Sequence, residues 1–143
     1  MKQKQILNIL SRDVRGVLEK ENLEYEHLQE IRLRIGHPII LFYRGQEKVH
    51  KHAVTEEMIR ETLDYVSNYS LYAYENELKQ GFITVEGGHR VGMAGQVIIE
   101  NGHVKNLKQI SSLNIRVSHE ILHCADKLFP YITYNKQLYH TMI

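Results

Sequence analysis

Four arginines are the residues of this chain best suited to do chemistry. Arg32 and Arg34 alternate with Ile31, Leu33 and Ile35; Arg116 alternates with Leu113, Ile115 and Val117; Arg90 follows Gly87-Gly88. Alternation of period two predicts half-buried strands, so Arg32, Arg34 and Arg116 fall on polar faces whose reverse sides are apolar. A guanidinium on a rigid strand is pre-organised to fork onto phosphate or carboxylate. The bland alternative is a set of surface salt bridges, each worth little.

Other patterns suggest other chemistry. His119-Glu120-Ile121-Leu122-His123 is formally H-E-x-x-H, which on a helix would put two imidazoles on one face with Glu120 able to polarise a zinc-bound water. A catalytic zinc needs a third protein ligand. The extended motif would require Gly at 126 and His at 129, where Asp126 and Phe129 stand, which leaves Asp126 and His140 as the only candidates. With nine histidines in the chain the pattern has a high chance rate, so no metal site is assigned. Gly92-Met93-Ala94-Gly95 is a G-x-x-G, but in a strand-like run it reads better as a bulge than as a nucleotide-clamping loop. Gly87-Gly88 reads as a hairpin turn, and no Gly-Lys pair exists to make a Walker A loop. Tyr69, Tyr72 and Tyr74 could stack bases, although packing between helices is the commoner use of such residues.

The elements that must position these residues follow from periodicity. A helix is predicted over 5–20, from Ile6, Leu10, Val14 and Leu18, then a short helix or linker over 23–30. Strands over 31–35 and 39–43 are closely spaced and predict a hairpin around Gly36-His37-Pro38. Thr55 caps a helix whose first turn holds Glu56 and Glu57. Ser70 caps another that stops at Gly81. Strands follow over 82–85 and 89–99, with Asn101-Gly102 as a hairpin turn, and another over 113–117. Ser118 is expected to cap a helix reaching Phe129, and 138–143 to begin a further strand. Hairpin-joined strands with grouped helices predict an α+β fold with a mainly antiparallel sheet.

Composition bounds the rest. The chain has 143 residues, 43% hydrophobic and 24% charged, which suits a globular domain with its own core. A net charge of +1 speaks against a wholly basic nucleic-acid coat. That total hides segregation. Residues 53–78 hold six acids against Arg60, net −5, and residues 87–119 hold four cations against Glu100, net +3. Such runs are either solvated faces or one positive sheet face that meets an anion or an acidic partner. The single Cys124 excludes an internal disulfide and fits a reducing compartment. The N-terminus lacks the pattern of a signal peptide.

Several blocks carry a resemblance. Leu28–Pro38 resembles the E-I-R-L-R-x-G-x-P opening of the stage III sporulation protein AA family; Ser67–Glu75, Gly81–Thr84, Gly87–Gly95, Ile110–Val117 and Cys124–Lys127 also match it. The resemblance implies an ATPase of endospore-forming bacteria, similar to type II and type IV secretion ATPases, that energises the channel complex between mother cell and forespore. It implies a cytoplasmic location on the mother-cell face of the forespore membrane, a homo-oligomer (a hexamer) and membrane channel proteins as partners, with no nucleic acid. It also implies a PAS-like N-terminal domain over 28–129 behind a helical segment over 1–27. In the family the strand matching Tyr139–Ile143 leads into the Walker A loop, so 130–143 is expected to be a linker and the first strand of a truncated core. ATP and Mg2+ would belong to the full-length parent. This chain alone would hold no cofactor and no catalytic residue and would hydrolyse no ATP. Arg90 and Arg116, then Arg32 and Arg34, are the expected nucleotide contacts. The alternative is a nucleic-acid-binding module.

Overall fold

A computed structural model describes residues 2–135 and 137–140. Six strands form one antiparallel sheet: β1 (Leu28–Arg34), β2 (Pro38–Tyr43), β3 (Gln46–Ala53), β4 (Phe82–Thr84), β5 (Arg90–Glu100) and β6 (His103–Arg116), in the order β3-β2-β1-β6-β5-β4. Helices α1 (Lys2–Asn8), α2 (Arg12–Lys20), α3 (Glu56–Val66) and α4 (Glu75–Gln80) accompany the sheet, and 3₁₀ turns lie at Tyr25–His27, Leu71–Tyr74 and Glu86–Gly88. The expected α+β class with a mainly antiparallel sheet is what forms.

The alternating residues make the core. Ile31, Leu33, Ile39, Leu41, Ile83, Val91 and Ile115 are fully buried, together with Ile6, Leu10, Val14 and Leu18 from the N-terminal helices. At roughly 1.5–3 kcal/mol for each fully buried aliphatic side chain, this one layer supplies the dominant favourable term of folding. Thr55 caps α3 as expected: its Oγ1 accepts from the Met58 amide at 3.2 Å. Gly81 ends α4 in the left-handed conformation (φ 82°). Asn101 (φ 52°) and Gly102 (φ 77°) form the β5–β6 turn, two successive positive φ values that Asn-Gly adopts at low cost.

Four expectations needed correction. The helix over 5–20 is two helices, because Ser11 caps α2, accepting from the Val14 amide, while its own amide donates to Thr62 Oγ1 at 3.1 Å. No element was expected over the polar run Gln46–Ala53, which forms the edge strand β3, where one side meets solvent and polar residues cost nothing. The strand expected over 113–117 begins at His103 and zips against β5 from the Asn101-Gly102 turn. The helix expected after Ser118 does not form: 118–121 has no regular structure and 122–128 is turn. Ile121 and Leu122 are 69% and 72% exposed, so there is no buried face to stabilise a short helix. The chain then makes α5 (Phe129–Ile132) and a two-residue ribbon of β7 (Thr133–Tyr134) and β8 (Gln137–Leu138). Of the strand expected over 138–143, Leu138 ends β8, Tyr139 and His140 lie outside any element, and residues 141–143 lie outside the described residues. No helix among the described residues is long and apolar enough to cross a membrane.

Candidate functional site

Strand register brings the four arginines to one face. Thr84, Arg90, Arg116 and Glu30 form one cross-strand row over β4, β5, β6 and β1; Gly92, Asn114 and Arg32 form the next; Ala94, Ser112 and Arg34 form the third. Alternate residues point to the same side of a sheet. The neighbours between them, Ile31, Leu33, Val91, Leu113 and Ile115, are buried on the helix-covered side, so all four guanidiniums share the opposite face. Among the described residues that face is otherwise open, and all four arginines are exposed.

A trough of about 380 Å³ runs along it, lined by Arg32, Arg34, Gly92, Ala94, Ser112 and Asn114 among others. Its floor is low because β5 contributes a hydrogen and a methyl where larger side chains would stand. Gly95 ends the floor at a β-bulge, where the register shifts between Ala94 and Gln96. The G-x-x-G is therefore a strand feature, and its second glycine is required by close packing. A Cβ there would lie 2.7 Å from the Lys108 carbonyl oxygen and 2.8 Å from both the Gln109 oxygen and Ile110 Cα.

The arginines are not equivalent. Arg32 is committed to carboxylates: Nε donates to Glu30 and Nη1 donates to Glu47 at 2.7 Å. The Glu30 hydrogen bond, then its charge, holds the Arg32 guanidinium above its ordinary pKa. The Arg90 guanidinium lies over the Phe82 ring, 4.4 Å from its centroid, a cation–π contact on the same sheet. Arg34 and Arg116 make no side-chain hydrogen bond or salt bridge within the described residues. Arg90 and Arg116 are direct cross-strand partners, a like-charge pair that is destabilising unless an anion answers it. In these rows four guanidiniums are answered by Glu30, and by Glu47 from β3, leaving the rows positive.

Sequence reasoning missed Glu30, Glu47 and Phe82. Glu30 was legible, since it stands two residues before Arg32 on the same side of the strand. Glu47 was not, because its strand was not recognised. The other singled-out residues lie elsewhere. His119 Nε2 donates to the Leu28 carbonyl at 2.7 Å and His123 Nδ1 meets Asp126 at 2.9 Å in a turn, so the two imidazoles have separate partners and no shared helical face. Among the described residues no group of three His, Cys, Asp or Glu is placed to hold a metal. Tyr69 and Tyr72 are 74% and 90% exposed. Tyr72 lines a hollow with Leu78 and Leu107 on the helical side, away from the arginines. A stacking platform and a positive groove thus occupy opposite sides of the sheet, whereas single-strand binding needs them together.

An antiparallel α+β domain with one helix-covered face and one arginine-bearing open face is the class that fold and site define. The chain belongs to the family described as sporulation stage III, protein AA, which it matches over residues 1–143. It is 42% identical over 135 residues to the stage III sporulation protein AA of Bacillus subtilis (strain 168), covering 94% of this chain and 44% of that protein. The chain thus spans less than half the length of this curated relative. Among solved structures it is similar to the VirB11 ATPase of the Brucella suis type IV secretion system in complex with sulphate, with TM-score 0.44 and 10% identity over 89% of this chain and 36% of that one. It is also similar to the Legionella pneumophila ATPase DotB, with TM-score 0.39 and 14% identity over 73% of this chain and 28% of that one. The family resemblance carried by residues 28–38, 87–95 and 110–117 is therefore confirmed.

Proposed function

We propose that this chain is the N-terminal regulatory and oligomerisation domain of a sporulation-specific, secretion-type ATPase, and that its open sheet face supplies arginine contacts to ATP held with Mg2+ by a catalytic core outside the chain. In this reading residues 130–143 lead towards that core. The parent is a homo-oligomer, a hexamer, at the mother-cell face of the forespore membrane, where it energises the channel complex. The observation that carries the reading is the placement of four arginines from three strands on the face that the helices leave open. Guanidiniums so fixed stabilise the charge that develops on a transferring phosphoryl group. Arg34, Arg90 and Arg116 are the contacts of choice, because Arg32 already has two carboxylate partners.

The test is steady-state ATP hydrolysis by the full-length parent carrying Arg34→Ala, Arg90→Ala or Arg116→Ala. Arg44→Ala serves as control, since Arg44 pairs with Glu24 at 2.7 Å. Loss of a positioned donor to a developing oxyanion costs about 10²-fold in kcat. At least one of the three should show that loss with unchanged far-UV circular dichroism, and the control should not. Unchanged turnover in all three overturns the role.

A further inference from the structure

The helical side of the sheet carries a second feature that the arginine face does not use. Two hollows, of about 240 Å³ and 200 Å³, lie between α3, the Leu71–Tyr74 turn, α4 and the β5–β6 hairpin. They share Leu71 and Leu107, and Ile59, Leu63, Ile110 and Leu78 complete one apolar groove. The groove does not stop at the helices. Beyond the bulge at Gly95 the hairpin runs past β1 and β4, and among the described residues its strands pair only with each other. Val97 stands across from Leu107 and Ile99 across from Val104, so these residues share the Leu107 side of the hairpin. Val97, Ile99 and Val104 are 46%, 67% and 42% exposed. The apolar strip thus extends outward along an arm.

Charge says what would cover it. Glu56 lines one hollow and Glu75 the other, and neither makes a salt bridge within the described residues. Arg60, the cation in the lining, is taken by Glu57 at 2.6 Å. On the arm, Lys105 is taken by Glu100 at 2.6 Å, and Lys108 stands opposite Gln96, one residue on from Leu107 and hence on the other side of the strand. The rim is therefore negative around an apolar floor. That pattern repels an anionic lipid surface and disfavours self-apposition of the same patch.

We propose that this groove is a docking site for an amphipathic, basic segment of a partner protein, its apolar side chains entering the two hollows and its Lys or Arg residues meeting Glu56 and Glu75. The site lies across the sheet from the arginines, so both faces can be engaged at once. It stands whether or not the nucleotide reading holds.

The probe is a fluorescein-labelled 14-residue leucine–lysine amphipathic peptide, titrated with the 143-residue chain by fluorescence anisotropy, beside the leucine–glutamate peptide of the same pattern. The lysine peptide should bind at least about 10-fold more tightly than the glutamate peptide, and more weakly as salt rises. Glu56→Gln with Glu75→Gln, both exposed and without effect on the core, should weaken it about 5-fold or more. Leu107→Asp should abolish it, and Arg34→Ala should leave it unchanged. Equal binding of the two peptides, or binding indifferent to both the double glutamine variant and Leu107→Asp, overturns the proposal. So does sedimentation showing that Leu107→Asp abolishes a dimer of the chain, or co-sedimentation of the chain with phosphatidylserine vesicles in place of peptide binding.

Discussion

Gly95→Ala is a sharp test of the packing that shapes the open face. An alanine Cβ there would sit 2.7–2.8 Å from two carbonyl oxygens and a Cα of β6, well inside ordinary van der Waals contact. The opposing atoms are backbone, so no rotamer change relieves the overlap, and β5 or β6 must move. Overpacking of this kind costs about 1–3 kcal/mol. Loss of glycine's freedom in the unfolded chain returns about 0.4–1 kcal/mol, leaving a net loss of about 1–2 kcal/mol. With a urea m-value near 2 kcal/mol/M, the unfolding midpoint should fall by about 0.5–1 M. Gly92→Ala is the matched control in the same strand: its nearest contact would be the Asn114 carbonyl oxygen at 3.6 Å, an ordinary distance. It should keep the wild-type midpoint or gain slightly, since alanine is better than glycine in a strand interior by up to about 1 kcal/mol. The assay is urea unfolding of the 143-residue chain followed by circular dichroism. A Gly95→Ala midpoint within about 0.2 M of wild type, or equal losses in both variants, would refute the close approach as the reason for glycine.

Thr62→Val removes the acceptor for the Ser11 amide in a site where both residues are fully buried. An orphaned buried N–H should cost about 1–3 kcal/mol in urea unfolding, while Thr62→Ser, which keeps the oxygen, should cost less; a Thr62→Val as stable as wild type would show the bond to be unimportant. Burial, then the nearby charge of Glu19, raises the Tyr25 phenol above its ordinary value of 10.0. Because the folded chain favours the neutral phenol, that contribution is complete below pH 10 and is lost as pH climbs through the raised value. Stability should therefore fall more steeply above pH 10 in wild type than in Tyr25→Phe, and parallel declines would sink the assignment. In Glu47→Gln, loss of one of its two carboxylate partners should loosen Arg32, raising inorganic phosphate affinity of the open face, read by phosphate-dependent chemical shifts; shifts unchanged from wild type would count against Arg32 being masked.

Much of this molecule was legible without coordinates, for local reasons. Period-two alternation put Arg32, Arg34 and Arg116 opposite buried aliphatics, because a strand has only two faces and one of them must be dry. Thr55, Gly81 and Asn101-Gly102 marked a helix start, a helix stop and a turn through their own backbone preferences. Blocks spread along the chain, those around Arg90 and Arg116 the most distinctive, placed it in its family. What could not be read was whatever depends on a neighbour distant in sequence. Gln46–Ala53 becomes a strand only because β2 offers it an edge, and with it comes Glu47, the carboxylate that ties up Arg32. The amphipathic run after Ser118 stays out of a helix because no surface is there to cover Ile121 and Leu122. Strand order is decided last and matters most: with β6 laid between β1 and β5, Arg116 stands beside Arg90 and their rows continue to Arg32 and Arg34. Side-chain parity along one strand cannot say which strand lies next to it, so only the assembled sheet turns four separate arginines into one surface.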